Sequence, residues 1–356
     1  MKIESVGSFL PDETLISARK DFNHGTISRR QLTGIEDDAV IDIAERQIAC
    51  GLPFITSGEL RRTHWSRDFW FGLNGISCEH IASGHLYQPV ESSTDLLHIT
   101  GQIGFNPEHP FFRDFSFLHD VVSGRASCRQ TLPSPANLLL EAYAIYNWNP
   151  DNPDTLVTDI AEAYRKTALR LHSLGCKSLQ FDDTALGLMC DGYYTKRLLQ
   201  GGMDILKLHS GLITVINNSL DGLPDDMEKA IYISGGDTIV PEWEHIAYPD
   251  NIMPVALSSL NVDKFFIPFA LGNDYAVEVL RHIPREKDVV LGLADAHCPF
   301  PEDSDMVKGI IRNAERFIDP SRLYASTRTG FKLSSYSRRA LTYEDQWRKL
   351  KELSDI

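Results

Sequence analysis

Residues 155–183 read TLVTDIAEAYRKTALRLHSLGCKSLQFDD. Apolar side chains recur at spacings of three and four over Thr155–Leu174, the period of an amphipathic helix, and Gly175 is the expected stop. Ser178–Asp182 then forms a short apolar run of strand length, ending on carboxylates. A helix, a glycine and a buried strand make half of a βαβ unit, which implies parallel pairing through a crossover. The same order recurs in both directions along the chain. Candidate strands are Ser5–Phe9, Phe54–Gly58, Arg129–Leu132, Ser178–Asp182, Ala230–Ser234, Lys264–Phe269, Val289–Ala294 and Leu323–Ser326. Helical patterns at Asp37–Ala49, Tyr194–Asn217 and Met306–Ile318 lie among them. Alternating α/β elements with eight strands predict a (β/α)8 TIM barrel, with a doubly wound sheet as the competing architecture.

One connection is too long for a barrel loop. About seventy residues separate the second and third strands, where a few are usual. Within them Ile76–Leu86 and Leu96–Phe105 alternate as an antiparallel pair, punctuated by Gly84 and Gly104, and PFFRDFSFLHDVVSG (110–124) carries aromatics at helical spacing. Residues 1–356 are therefore expected to form a single barrel domain, and residues 60–127 an inserted β-hairpin and helical subdomain covering one mouth. No repeat or low-complexity linker interrupts the chain.

Composition narrows the function. The 356 residues are 42% hydrophobic, enough for a sizeable core, and carry a net charge of −14. No basic stripe accompanies that charge, which argues against nucleic acid as a partner. No apolar run is long enough to span a membrane, and Glu4 with Pro11-Asp12-Glu13 interrupts what a signal peptide would need. Six scattered cysteines without a C-x-x-C pair fit free thiols in a reducing compartment. The expectation is a cytoplasmic protein acting on a small molecule, with a symmetric homodimer as a candidate assembly.

In a barrel the chemistry belongs to the C-terminal strand ends. Those positions hold Ser8, Glu59, Asp182, Asp183, Ser234, Asp237, Asp295, His297, Cys298 and Thr329. The segment ELRRTHW gathers Glu59, Arg61, Arg62, His64 and Trp65 at one strand exit. Its arginines could fork onto an acidic substrate group, or Glu59 and Arg62 could pair with each other. Successive strand residues face opposite ways, so only one of Asp182 and Asp183 should face the barrel axis. Asp182 is the expected site residue, and Asp183 could instead cap the next helix. His297, two residues after Asp295, suits proton transfer near neutrality, with the aspartate holding its tautomer. Cys298 beside a proline reads as inert. Gly235-Gly236-Asp237 lacks the context of a phosphate-binding turn.

Taken together, VGSFLP (6–11), SGELRRTHWSRDFWFGLNG (57–75), TLPSPANLL (131–139), LQFDDTAL (179–186) and IDPSRLYASTRTGF (318–331) resemble the cobalamin-independent methionine synthase family, above all its short single-barrel members. The resemblance runs nearly end to end. It implies the (β/α)8 fold and zinc-assisted methyl transfer to a small thiol such as homocysteine, with a methylated folate as the usual donor. Asp295-x-His297-x-Pro299 resembles the family loop whose histidine acts as an acid. Asp182 stands at the family's substrate-binding aspartate and Glu59 at its amino-acid-binding acidic position. Catalytic roles are thereby implied for His297, Asp295 and Asp182, and substrate binding for Glu59, Arg61, Arg62, Trp65, Ser8 and Asp183. The zinc ligands do not carry over: Tyr232, Ser234, Pro268 and Thr329 stand at the four ligand positions. The alternatives to methyl transfer are a zinc-free transferase or carbon–sulfur lyase, and a barrel that binds a small molecule without turning it over.

Overall fold

The strand that ends residues 155–183 lies inside a parallel sheet of eight, seen in a computed structural model that describes residues 1–80, 95–146, 153–234, 252–269, 276–332 and 341–355. In chain order the strands are β1 (Lys2–Ile3), β2 (Phe54–Ile55), β3 (Asn74–His80), β4 (Asp95–Gly104), β5 (Ser127–Pro133), β6 (Ser178–Asp183), β7 (Glu228–Ile233), β8 (Lys264–Pro268), β9 (Asp288–Ala294) and β10 (Leu323–Thr327). The helices are α1 (Glu13–Asn23), α2 (Arg29–Ala49), α3 (Arg67–Trp70), α4 (Pro110–Val122), α5 (Pro135–Tyr146), α6 (Pro153–Ser173), α7 (Ala185–Leu188), α8 (Gly192–Gln200), α9 (Ile205–Leu220), α10 (Met253–Ser259), α11 (Ser304–Ala314) and α12 (Tyr343–Ser354). The sheet runs β1-β10-β9-β8-β7-β6-β5-β2, every pair parallel. Its two ends meet through the strand exits: the Phe9 N–H donates to the Gly58 carbonyl at 3.0 Å, and the Thr56 hydroxyl to the Gly7 carbonyl at 2.7 Å. This is the expected (β/α)8 barrel, not a doubly wound sheet.

Two expected elements differ from the structure. The first strand was expected over Ser5–Phe9, yet its ladder pairs are Lys2–Tyr324 and Ile3–Ala325. Gly7, at φ 132°, breaks the extended repeat, and residues 7–9 bond instead to the exit of β2. A Cβ on Gly7 would fall 2.6 Å from Thr131 Cγ2, so the close approach requires glycine. The single helix expected over Tyr194–Asn217 is two, α8 and α9. The apolar period continues across the gap, but Gly202 turns the chain at φ 82°, and the Asp204 carboxylate restarts it by accepting from Leu206 and Lys207 N–H.

The insertion holds the β3–β4 hairpin and α4. Strand β4 packs on α6, and α4 packs against α2, α6 and β5, burying Phe111, Phe112, Phe115, Leu118 and Val122. Helix α4 is therefore the crossover between β2 and β5. Residues 81–86 of the expected first hairpin strand, within 81–94, lie outside the described residues.

The barrel interior is layered. At the N-terminal ends of the strands, Arg129 and Lys264 stand between Glu4 and Glu228, with nitrogen–oxygen distances of 2.7–2.9 Å. Burial disfavours these charges, but the partners prevail: Arg129 and Lys264 are raised and Glu228 lowered from their ordinary pKa values. Val6, Ala230, Tyr232, Phe266 and Val290 form an apolar layer above. The outer faces of the strands join the helices in the main core.

Candidate active site at the C-terminal mouth

Glu59 follows Gly58 in a turn where both residues take positive φ, 55° and 63°. For a residue with a side chain this costs of order 1–2 kcal/mol and persists only when its surroundings hold it. Here they do. The Glu59 carboxylate, 6% exposed, accepts from the Thr131 hydroxyl at 2.7 Å and pairs with Arg62 at 3.0 Å. Arg62 also donates to the Thr131 carbonyl and hydroxyl and lies 4.8 Å over the Phe111 ring. The Glu59–Arg62 pairing left open by the sequence is thus present, and it is buried.

Asp182 completes this group. The Gln180 amide donates to its carboxylate at 2.8 Å and to the Val6 carbonyl at 2.6 Å. Desolvation, and then the Glu59 charge, hold Asp182 well above the usual carboxylate range, with Gln180 and Arg62 opposing. Asp183 points elsewhere. Fully buried, it accepts from the Leu186 N–H at 2.7 Å, and burial pushes it up to about 6. It thus binds a backbone N–H in the first turn of α7, whose N-cap is Thr184, and faces the other side of the sheet from Asp182, as adjacent strand residues do.

A second group occupies the exits of β9 and β10. The Asp295 carboxylate accepts from the His297 backbone N–H at 2.8 Å and pairs with Arg328 at 2.5 Å. The His297 ring nitrogen Nε2 lies 3.2 Å from the Thr329 hydroxyl. The Asp295 carboxylate organises the loop backbone and Arg328, and Thr329 meets the His297 ring. The Tyr232 hydroxyl donates to the Arg328 carbonyl at 2.9 Å. Ser8 lies against Gly330, where a Cβ would fall 1.9 Å from the Ser8 oxygen.

The ELRRTHW segment divides. Arg61, 11% exposed, pairs with Asp37 at 2.5 Å, Asp114 at 3.7 Å and the buried Glu36 at 3.9 Å, and lies 5.0 Å over the Phe117 ring, a different set of partners from that of Arg62. Trp65 contributes its carbonyl to Arg62 at 3.4 Å and its ring to a stack with His64. Lys332, absent from the sequence-based set, donates to the Glu59 and Arg62 carbonyls. The only clue in the sequence is a cation two residues beyond a strand-exit glycine. Asp237, with Gly235 and Gly236, lies outside the described residues.

At the four family ligand positions Tyr232 is occupied with a backbone carbonyl, Thr329 with the Gly330 carbonyl and the His297 ring, Ser234 is buried, and Pro268 offers no side-chain donor. Hydroxyls and a proline do not supply the charged, soft donors that zinc takes. Among the described residues no three His, Cys, Asp or Glu side chains stand together in a way that could hold a metal ion.

No family model matches the chain. Two uncharacterized proteins of Bacillus subtilis (strain 168), YxjG and YxjH, are each 30% identical over all 356 residues, spanning 93% of their own length. A methionine synthase of Saccharolobus islandicus is 23% identical over 334 residues, 93% of this chain and 88% of that one. Among solved structures, a candidate vitamin B12-independent methionine synthase from Listeria monocytogenes superposes with a TM-score of 0.77 at 27% identity, covering 100% of this chain and 97% of its own. A B12-independent methionine synthase from Shewanella sp. W3-18-1, solved with selenomethionine, gives 0.71 at 20% identity over 99% and 95%. By full-length identity and by fold, the chain belongs to the cobalamin-independent methionine synthase-like family.

Proposed function

We propose that this barrel is a zinc-independent member of its family that binds a small sulfur amino acid at Glu59 and Asp182 and moves a proton at His297. The observation that carries the reading is the Asp182–Glu59 pair. Two carboxylates share a desolvated mouth with one buried guanidinium, and the pair favours an ammonium group placed between them. The family reaction, methyl transfer to a thiol such as homocysteine from a methylated folate, supplies the substrate class. At an ordinary thiol pKa only a few per cent of the acceptor is thiolate at neutral pH, and zinc normally corrects that. The residues at the ligand positions do not fit zinc.

His297 stands against Thr329 at the rim, where an imidazole can take a proton from a bound thiol or return one to a leaving group. Asp295 and Arg328 hold its loop. Transfer to, or cleavage at, the substrate's sulfur both use this arrangement, and the cytoplasmic thiol pool is the setting we propose for it.

The test is calorimetric titration of chelator-treated protein with homocysteine, methionine and selenomethionine, alongside elemental analysis. Binding by metal-free protein, lost in Asp182→Ala, is the expected result. Stoichiometric zinc whose removal abolishes binding would overturn the zinc-independent reading. Binding without turnover in methyl-transfer and carbon–sulfur lyase assays, unchanged by His297→Ala, would instead indicate a non-catalytic barrel.

A further inference from the structure

We infer that Lys332 is the positioning residue of this mouth, its ammonium clamping the β2 exit turn in the left-handed conformation from which Glu59 reaches Thr131 and Arg62. The inference rests on reading Glu59 and Asp182 as the amino-acid site.

Three observations carry it. The Lys332 Nζ donates to two carbonyls of one turn, Glu59 at 3.2 Å and Arg62 at 2.5 Å. The Glu59 carbonyl already accepts the Arg62 N–H at 3.0 Å, and Arg19 from α1 donates to the Leu60 carbonyl between them. The oxygens of this short turn therefore converge on two cations, as the last carbonyls of a helix converge on a basic side chain.

The backbone that carries Lys332 is itself pinned. The Phe331 N–H donates to the Ser8 carbonyl at 3.0 Å, the Lys332 N–H donates to the Ser8 hydroxyl at 3.3 Å, and Gly330 leaves no room between. One residue thus ties the exits of β10, β1 and β2. That junction is where the sheet order ends, β1 and β2 being its two terminal strands.

The clamp is held under electrostatic load. Arg19 on α1 and Arg62 in the turn repel the ammonium, whereas Glu59 in the turn and Asp68 on α3 attract it. Burial and then Arg19 bring Lys332 down to about 8. A cation kept in such a place against desolvation has its role in what it contacts, and it contacts the backbone that orients Glu59.

The experiment compares the full-length wild type with Lys332→Met and Lys332→Arg. Hydrogen exchange is followed by mass spectrometry over residues 57–66, methionine affinity by calorimetry, and folding by circular dichroism. In Lys332→Met we expect amide exchange in the turn to rise about tenfold and methionine binding to weaken by a similar factor, with the barrel still folded. Lys332→Arg should restore most of both, because its guanidinium can meet the same carbonyls. Unchanged exchange in Lys332→Met would overturn the clamp. Faster exchange with unchanged affinity would overturn its role in placing Glu59. If the wild type binds neither methionine nor homocysteine, the amino-acid reading fails, and exchange alone decides whether the clamp exists.

Discussion

The barrel carries buried charge at both ends, and the two ends treat it in opposite ways. At the N-terminal end, Glu4, Arg129, Glu228 and Lys264 alternate in sign, and each cation meets two carboxylates within 2.9 Å. The shifts of Arg129, Lys264 and Glu228 favour their charged forms. At the C-terminal mouth the balance reverses: Asp182 is raised and Lys332 lowered, so both are pushed toward neutrality. A network that stabilises its charges is finished as it stands. One that destabilises them gains from a ligand that brings the missing partner, and for Asp182 that partner is a cation.

The sharpest way to break this comparison is at the lower end. Arg129→Met leaves buried Glu4 and the partly buried Glu228 sharing only Lys264, and removing one member of a buried pair costs about 3–5 kcal/mol. Urea unfolding should show that loss while ligand affinity of the folded fraction is unchanged. A loss under 1 kcal/mol would mean that the lower cluster is solvated and that the two ends do not differ as described.

Asp183 tests the level just beneath the mouth. Its pKa is raised to about 6 in the folded chain. The folded state therefore holds its proton more tightly than the unfolded state does. The stability this supplies is complete below about pH 4 and is lost as pH rises through about 6, amounting to roughly 3 kcal/mol. Asp183→Asn, neutral throughout, should flatten that part of the stability–pH curve. An unchanged curve would mean that the carboxylate is not desolvated.

Asp182 gives a functional counterpart. Asp182→Asn mimics the protonated form that the mouth favours, so melting temperature should hold or rise at any pH high enough to ionise the wild-type carboxylate against its surroundings. Methionine affinity should fall by about ten- to a hundredfold, the worth of one hydrogen bond to a charged group. An ammonium ligand also favours ionised Asp182, so wild-type binding should release a proton, visible as a buffer-dependent calorimetric heat. Equal affinity in the variant would remove Asp182 from the site.

Much of this was legible in the sequence. Seven barrel strands fall within a few residues of their expected positions, because buried parallel strands are short β-branched runs bounded by helix stops. The first strand and the α8–α9 break were not, since Gly7 and Gly202 act through backbone angles that apolar periodicity does not encode. The placement of Asp182, Glu59 and His297 at the mouth was legible because each directly ends or follows a recognisable strand run. The lower cluster was not: Glu4, Arg129, Glu228 and Lys264 are distant in sequence and look like surface charges until closure brings their strands together. Lys332 was missed for the same reason, since its partners are more than 250 residues away.

Adjacent arginines give the smallest test of the contrast. Arg61 and Arg62 were indistinguishable as substrate-binding candidates, yet Arg62 is buried against Glu59 and Thr131, whereas Arg61 pairs with the partly exposed Asp37 on α2. Arg61 also reaches buried Glu36, which Arg19 and Arg29 share, so its loss is worth about 1–2 kcal/mol, between a surface pair and a buried one. Arg61→Met should therefore cost about that in unfolding experiments, with the aliphatic stem still packed on Phe117, and should leave methionine affinity at the wild-type value. Arg62→Met leaves the Glu59 carboxylate buried without its cation, so it should lower affinity and stability together. Equal losses in the two variants would mean that Arg61 reaches the mouth after all, and the separation drawn along this segment would fall.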